Sequence, residues 1–384
     1  MPPTERAPKV TGANLTPVTF FSTVHPTPWA PGKGTFNRAM LESLLPFAAV
    51  RALVPVPWPE RHRTPRPVTA PYPLATPTFW YLPSLAPMAL ASQLRWSTRR
   101  TRQSWGSRSE VILSYWTDPD GTCAVDWASD LGCGVAVMVG GSDLMVLAKD
   151  PARRARMADT LQRADHVVTI GTALAARVHD LGVAPDRITP ILRGVNRSMF
   201  SPGDRAGARA ELELPNDRPI LLWVGRMVPV KGLTHLVAAL ASPGLKALNP
   251  LLIMVGDGPL RVSLEAQVQA LGVADAVQFA GPAAHSTLPT WYRAADLTVL
   301  PSLSEGIPNV LLESLACGTG FVASDVGSIR EISDAPERDL VSPGDSVMLA
   351  QRLADRLFAP EAVTTEIPDV SASAAKLAGI LRTI

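Results

Sequence analysis

Between residues 219 and 325 five short apolar runs recur: "PILLWVG" (219–225), "LLIMVG" (251–256), "AVQFAG" (276–281), "LTVLPS" (297–302) and "GFVASD" (320–325). Helix-compatible stretches separate them. Short strands alternating with helices are what a parallel sheet requires, because each return to the same edge needs a crossover. After the first run, Leu233, Leu236, Val237 and Leu240 keep the i, i+3, i+4, i+7 spacing of a helix face packed on a sheet. The first half has the same rhythm. "TPVTFFSTV" (Thr16–Val24) reads as a buried strand, and "APGKGTFNRAMLESLL" follows it as a glycine turn entering a helix. "EVILSY" (110–115), "GVAVMV" (134–139) and "HVVTI" (166–170) read as further strands, with Thr172 expected to cap a helix that ends near Gly182. Around "RGVNRSMFSPGDRAGAR" the rhythm lapses into glycine, proline, serine and charge. The expectation is an α/β chain of two domains, residues 1–199 and 200–365, with a cleft between them and a further helical segment over 366–384.

The bulk properties narrow the function classes. At 384 residues the chain has room for two cores. A net charge of +2 is too small for a protein that wraps a polyanion, so no nucleic-acid partner is expected and any anion site must be local. Cys123, Cys133 and Cys317 have no paired spacing, and the six histidines show no zinc-like pattern, which points to a reducing compartment and no metal. "MPPTERAPKVTGANLTPVTFF" has charges and prolines where a signal peptide needs an unbroken apolar core, so a cytoplasmic location is expected. From Pro67 to Leu94 there is no charged residue, but six prolines interrupt the stretch and argue against a spanning helix. Arg95, Arg99, Arg100, Arg102 and Arg108 follow among two tryptophans. Two readings stay open: a loop and helix packed on the first domain, or a peripheral contact with the anionic inner face of the cell membrane.

Two segments carry chemistry. In "VGRMVPVKG", Arg226 and Lys231 lie in a loop between a strand and the Leu233 helix, where cationic side chains and free backbone N–H groups suit a diphosphate. The loop is not a Walker A motif, since it lacks the Gly-Lys-Ser/Thr ending. In "SEGIPNVLLES", Glu305 and Glu313 stand eight positions apart. On one continuous helix that spacing would be about 12 Å of rise, whereas hydrolase carboxylate pairs need roughly 5 to 9.5 Å. Pro308 suits the first turn of a helix, which leaves Glu305 in the preceding loop and puts Glu313 in the second turn. Between them the N–H groups of Ile307, Asn309 and Val310 sit at a helix start. The segment therefore offers acceptor, phosphate cradle and acceptor in that order, the layout of a nucleotide sugar.

In these residues the chain resembles the retaining family 4 glycosyltransferases of the GT-B fold, two Rossmann-like parallel-sheet domains facing across a cleft. The resemblance rests on "VGRMVPVKG", "VGDGPLR", "AADLTVLPSLSEGIPNVLLESLACGTGFVASDVGSIREI" and "VSPGD", in that order. "SYWTDPDG", "GGSDL" and "LGVAPDRITPILRGVNRSMFSPGD" make it look similar to bacterial cell-surface polysaccharide enzymes of the teichuronic-acid type. The resemblance implies a nucleotide-sugar donor, a glycan or lipid-linked acceptor and no metal cofactor. It implies catalytic roles for Arg226, Lys231 and Glu305, the cations neutralising the departing diphosphate and Glu305 contacting the donor sugar. Gly225, Gly306, Ile307, Pro308, Asn309 and Val310 would line the donor, and Glu313 would accept from its ribose. Gly32, Gly34 and Asp143 would belong to loops near acceptor and donor, and residues 366–384 would supply the last helix crossing back to the first domain.

The chain departs from the family at Gly140-Gly141-Ser142-Asp143, where relatives often carry a basic residue first, at Arg193-Gly194-Val195-Asn196 and at Cys317-Gly318-Thr319-Gly320. A second reading is therefore a degenerate GT-B protein that binds a nucleotide sugar or partner without turnover. A nicotinamide oxidoreductase is disfavoured, because "VGDGPLR" lacks the third glycine of the dinucleotide fingerprint.

Overall fold

The structure, a computed structural model, describes residues 15–81, 89–105, 110–145, 147–360 and 363–384. The chain forms two compact units, one of Met1–Leu192 with Val370–Ile384 and the other of Arg193–Asp369.

In the first unit the strands are β1 (Thr16–Phe21), β2 (Ala48–Leu53), β3 (Val56–Pro57), β4 (Leu74–Ala75), β5 (Thr78–Phe79), β6 (Val111–Tyr115), β7 (Gly134–Val139), β8 (His166–Thr169) and β9 (Ile188–Pro190). Among the described residues they make a parallel sheet in the order β4-β2-β1-β6-β7-β8-β9, while β3 pairs with β5. The strand order reverses direction between β1 and β6. Sequence reading missed β2, because Arg51 interrupts its apolar run. That arginine turns to Glu110, donating from Nε at 2.8 Å, and reaches Thr19 Oγ1 at 2.8 Å. Glu110 is 2% exposed, so β2 is held to β1 and to the edge of β6 by a buried ion pair that a hydropathy pattern does not register. The C-terminal helix Val370–Leu381 buries Ala374, Leu377, Ala378 and Leu381 in the same core as Leu41 and Leu44 of the Thr35–Leu44 helix.

The second unit has β10 (Ile220–Val224), β11 (Leu251–Val255), β12 (Val277–Gly281), β13 (Leu297–Leu300), β14 (Gly320–Ser324) and β15 (Leu340–Val341), parallel in the order β12-β11-β10-β13-β14-β15. Here the order reverses between β10 and β13. Every residue of β10, β11 and β14 is buried, as expected where helices cover both faces of a sheet. Leu233, Leu236, Val237 and Leu240 join Trp223 and Met254 in that core. Both units are α/β and Rossmann-like.

Three local expectations change. The division falls after Leu192, a few residues before the expected one, because Val195 bridges Asp369 and Arg197 donates to the carbonyl of Ile367 at 3.0 Å. Those contacts bind the segment to the second unit. Gly171, not Thr172, precedes the Thr172–His179 helix as its cap, with Gly182 in the turn beyond. Pro308 stands at the cap before the Asn309–Ala316 helix, one residue ahead of its first turn. Of the proline-rich and basic-aromatic segments, residues 82–88 and 106–109, with Arg108, lie outside the described residues. No helix among the described residues is long and apolar enough to cross a membrane.

Candidate functional site

In the second unit the candidate residues gather at the carboxyl ends of β10 and β13, the neighbours at which the strand order reverses. Loops leaving such a point diverge to opposite faces and open a crevice between them. Gly225, directly after β10, has φ 156° and donates to the carbonyl of Val255 at 3.0 Å. The loop carries Arg226 outward, exposed, and turns through Pro229–Lys231 to Gly232. Gly232 has φ 63°, and a Cβ there would stand 2.0 Å from the carbonyl oxygen of Pro301. Only glycine lets the two loops approach this closely. The N–H of Leu303 then donates to the carbonyl of Val230 at 2.8 Å, lacing the loops together.

The lacing brings Lys231 to Glu305, 74 residues on. Lys231 Nζ lies 2.5 Å from Glu305 Oε1, which also accepts from Ser302 Oγ at 2.7 Å. The two side chains are 24% and 13% exposed, so the pair is poorly screened yet open on one side. A second clamp holds Gly306: the N–H of Ser328 donates to its carbonyl at 3.2 Å. Ile307 and Pro308 are buried beneath it, and the first-turn N–H groups of Asn309 and Val310 lie at the helix start, where no preceding turn can accept them. Asn309 Oδ1 accepts from Arg193 at 3.1 Å.

Glu313 sits one turn further, 7% exposed. Tyr292 donates from its hydroxyl to Oε2 at 2.9 Å, and His285 Nε2 meets Oε1 at 3.0 Å. Burial raises the Tyr292 phenol well above its ordinary pKa, and the hydrogen bond with Glu313 raises that of His285. Neither partner was evident in the sequence, where both lie in an ordinary helix-entry stretch. Among the described residues no group of three or more His, Cys, Asp or Glu is placed to hold a metal ion.

In the first unit, Gly32 and Gly34 follow β1, beside the reversal at β6. A Cβ at Gly34, φ 63°, would stand 2.5 Å from the carbonyl oxygen of Val24, whereas nothing lies within 4 Å of one at Gly32. Asp143 is fully buried. Its Oδ2 accepts from the Thr117 hydroxyl at 2.9 Å and its Oδ1 from the N–H groups of Gly141 at 2.8 Å and Leu144 at 3.1 Å. Those bonds tie the loop after β7 to the loop after β6, and burial raises the pKa of the carboxyl. At Gly140 a Cβ would meet the Tyr115 hydroxyl at 2.2 Å, so the phenol occupies the space beside that backbone. His25 is buried, with Nδ1 2.8 Å from the carbonyl of Pro26 and Nε2 2.7 Å from the Tyr72 hydroxyl. A carbonyl can only accept, so Nδ1 carries the proton and Tyr72 donates to Nε2. Burial lowers the pKa of His25 to about 4.

Residues 204–362 match the family described as glycosyl transferases group 1. Over 206 residues the chain is 42% identical to a D-inositol 3-phosphate glycosyltransferase of Acidothermus cellulolyticus, a match covering 51% of this chain and 46% of that protein. The chain thus spans about half the length of the curated relatives it matches. Among solved structures, sucrose-phosphate synthase from Thermosynechococcus elongatus superposes with a TM-score of 0.74 at 23% identity, covering 95% of this chain and 94% of that one. Anabaena HepE in complex with UDP-glucose gives 0.65 at 19% identity, with 96% and 95% covered. These structural likenesses establish a shared fold. Residues 204–362 therefore match the group 1 glycosyl transferases, within an α/β fold of two Rossmann-like units that is shared with GT-B glycosyltransferases.

Proposed function

We propose that the chain is a nucleotide-sugar-dependent glycosyltransferase. The observation that carries this reading is the Lys231–Glu305 pair at the strand-order reversal of the second unit, inside the matched region. In the proposed reaction the bond from the anomeric carbon to the donor phosphate breaks and one to an acceptor hydroxyl forms. The hydroxyl proton leaves with the nucleoside diphosphate. Lys231 and Arg226 neutralise the charge that grows on that leaving group, where fixed cations act without reorganising. Glu305, held by Lys231 and Ser302, accepts from a sugar hydroxyl, and Glu313 accepts from the ribose. Two cations of the protein take the place of a metal in this scheme, and the anomeric configuration is retained.

A hydroxyl of a glycan or lipid-linked polyol is the acceptor class we favour. The curated relative above is named for an inositol phosphate rather than a polysaccharide, so a phosphorylated polyol belongs among the acceptors to be tried. Free thiols at Cys123, Cys133 and Cys317 fit a reducing, cytoplasmic setting. Trp80, Trp96, Arg99 and Arg100, all exposed, supply a basic-aromatic patch for peripheral membrane contact on the first unit.

One observation favours a second reading. A basic side chain of the kind relatives often carry at Gly140 would require the Tyr115 phenol to shift, since a Cβ there would stand 2.2 Å from its hydroxyl, and a protein so altered would bind a donor without turning it over. A thermal-shift panel of nucleotide sugars, followed by product analysis, separates the two. Stabilisation with release of the nucleotide supports the transferase. Stabilisation without release across glycan and phosphorylated-polyol acceptors supports the binding protein, and absence of any shift removes both.

A further inference from the structure

Glu313 is gripped from two sides by groups of opposite character. Tyr292 is fully buried, and its own carbonyl accepts from Thr319 Oγ1 at 2.7 Å, so the phenol that donates to Oε2 comes from a helix tied down at its end. Burial keeps that phenol protonated, and therefore a donor, far into the alkaline range. His285 reaches Oε1 from the open side, with its side chain 63% exposed against 9% for Glu313. It sits on a three-residue turn, His285–Thr287, with the Phe200 ring edge-on to the imidazole at 5.2 Å between centroids. A hydrogen bond from an exposed side chain is worth little net, because water replaces it on departure. The buried bond from Tyr292 has no such replacement.

We infer that Glu313 is a half-locked acceptor, in which Tyr292 is the positioning residue that fixes Oε2 and turns Oε1 outward, and His285 is the displaceable partner whose place a ribose hydroxyl takes. This rests on the proposed role of Glu313 in donor binding. Its consequence is that two substitutions around one carboxylate act in opposite directions. Loss of the Tyr292 hydroxyl frees Glu313 to rotate and leaves a buried oxygen unpaired, weakening the donor. Loss of the His285 ring removes a competitor, strengthening it. Competition grows as the imidazole gains its proton, since a charged donor binds a carboxylate more strongly than a neutral one. The ionisable groups around the pair are Tyr292, Cys317, whose thiol burial pushes up to about 12, and Arg293 beside it. Burial keeps Tyr292 and Cys317 neutral around neutral pH, so the change of protonation beside Glu313 falls on His285.

The test is calorimetric binding of UDP, GDP and ADP to the wild-type protein and to Tyr292→Phe, His285→Ala and Glu313→Gln, at pH 6 and pH 8, with melting temperatures recorded for each. For whichever nucleotide binds, Tyr292→Phe is expected to raise Kd about tenfold at both pH values. His285→Ala is expected to lower Kd about threefold at pH 6 and by less at pH 8, where fewer imidazoles carry the proton. If Glu313→Gln weakens binding while Tyr292→Phe moves only the melting temperature, or His285→Ala weakens binding, the half-locked arrangement is wrong and the donor role of Glu313 survives. Unchanged binding by Glu313→Gln overturns that donor role itself, as does failure of all three nucleotides to bind the wild-type protein.

Discussion

Lys231 meets two demands at once: its ammonium pairs with Glu305 at 2.5 Å, and 24% of its side chain stays exposed. A cation in that position orients the carboxylate, and in the proposed reaction it keeps donors for the diphosphate. Lys231→Ala is therefore expected to reduce kcat/KM by about a hundredfold, the scale of losing one preorganised donor to a developing charge. The melting temperature should move little, since Lys231 lies outside the hydrophobic core. Steady-state kinetics beside a melting curve decides it, and a variant with wild-type kcat/KM would remove Lys231 from the site. Arg226 differs in degree, being exposed; in the proposed reaction its charge would act through a more screened medium. Asp143 shows the other fate of a charged residue near a loop. Its oxygens are taken up by the Thr117 hydroxyl and by backbone N–H groups, so it builds the loops of the first unit and reaches any ligand only through them.

At the level of elements, the candidate site depends on loops that glycine allows to touch. The loop after β14 closes on the loop after β13 through Gly327, φ 62°, where a Cβ would stand 2.2 Å from the carbonyl oxygen of Glu305 and 2.7 Å from that of Gly306. Backbone cannot yield there as the end of a flexible side chain would. Gly327→Ala is expected to cost about 1–3 kcal/mol of stability, from the left-handed conformation and the contact together. Displacing Glu305 from Lys231 is expected to lower turnover at least about tenfold. Differential scanning fluorimetry and donor kinetics read the two effects, and a variant unchanged in both would show that the loops are not coupled. Much of this level was legible in sequence. The helix start near Pro308 and the separation of Glu305 from Glu313 follow from proline geometry, and the structure moves the boundary by one residue. The clamp by Gly327 and Ser328 was not legible, because a glycine after a strand looks the same whether it faces solvent or another backbone.

For the molecule as a whole, the first unit carries an exposed basic-aromatic surface. Trp96 is 70% and Trp80 56% exposed; Ser97 Oγ accepts from the N–H of Trp80 at 2.9 Å, and Arg99 and Arg100 are exposed on the same helix as Trp96. If this patch contacts an anionic bilayer, each arginine contributes about 1 kcal/mol and the interaction weakens with salt. The full-length protein is expected to float with vesicles containing anionic lipid at low ionic strength. Arg99→Ala with Arg100→Ala should cut the bound fraction severalfold, and no flotation at low salt would refute the contact. The sequence by itself determined the α/β class, the strands of the second half and the loop placement of Arg226, Lys231 and Glu305, since all of these follow from local periodicity, turn chemistry and proline geometry. Only the tertiary structure decided that β2 pairs around Arg51 and Glu110 and that Tyr292 and His285 hold Glu313, whereas the return of the last helix to the first unit was already expected. These join residues far apart in the chain, and which distant side chains meet is set by the order of strands and the closeness of loops, which no local pattern encodes.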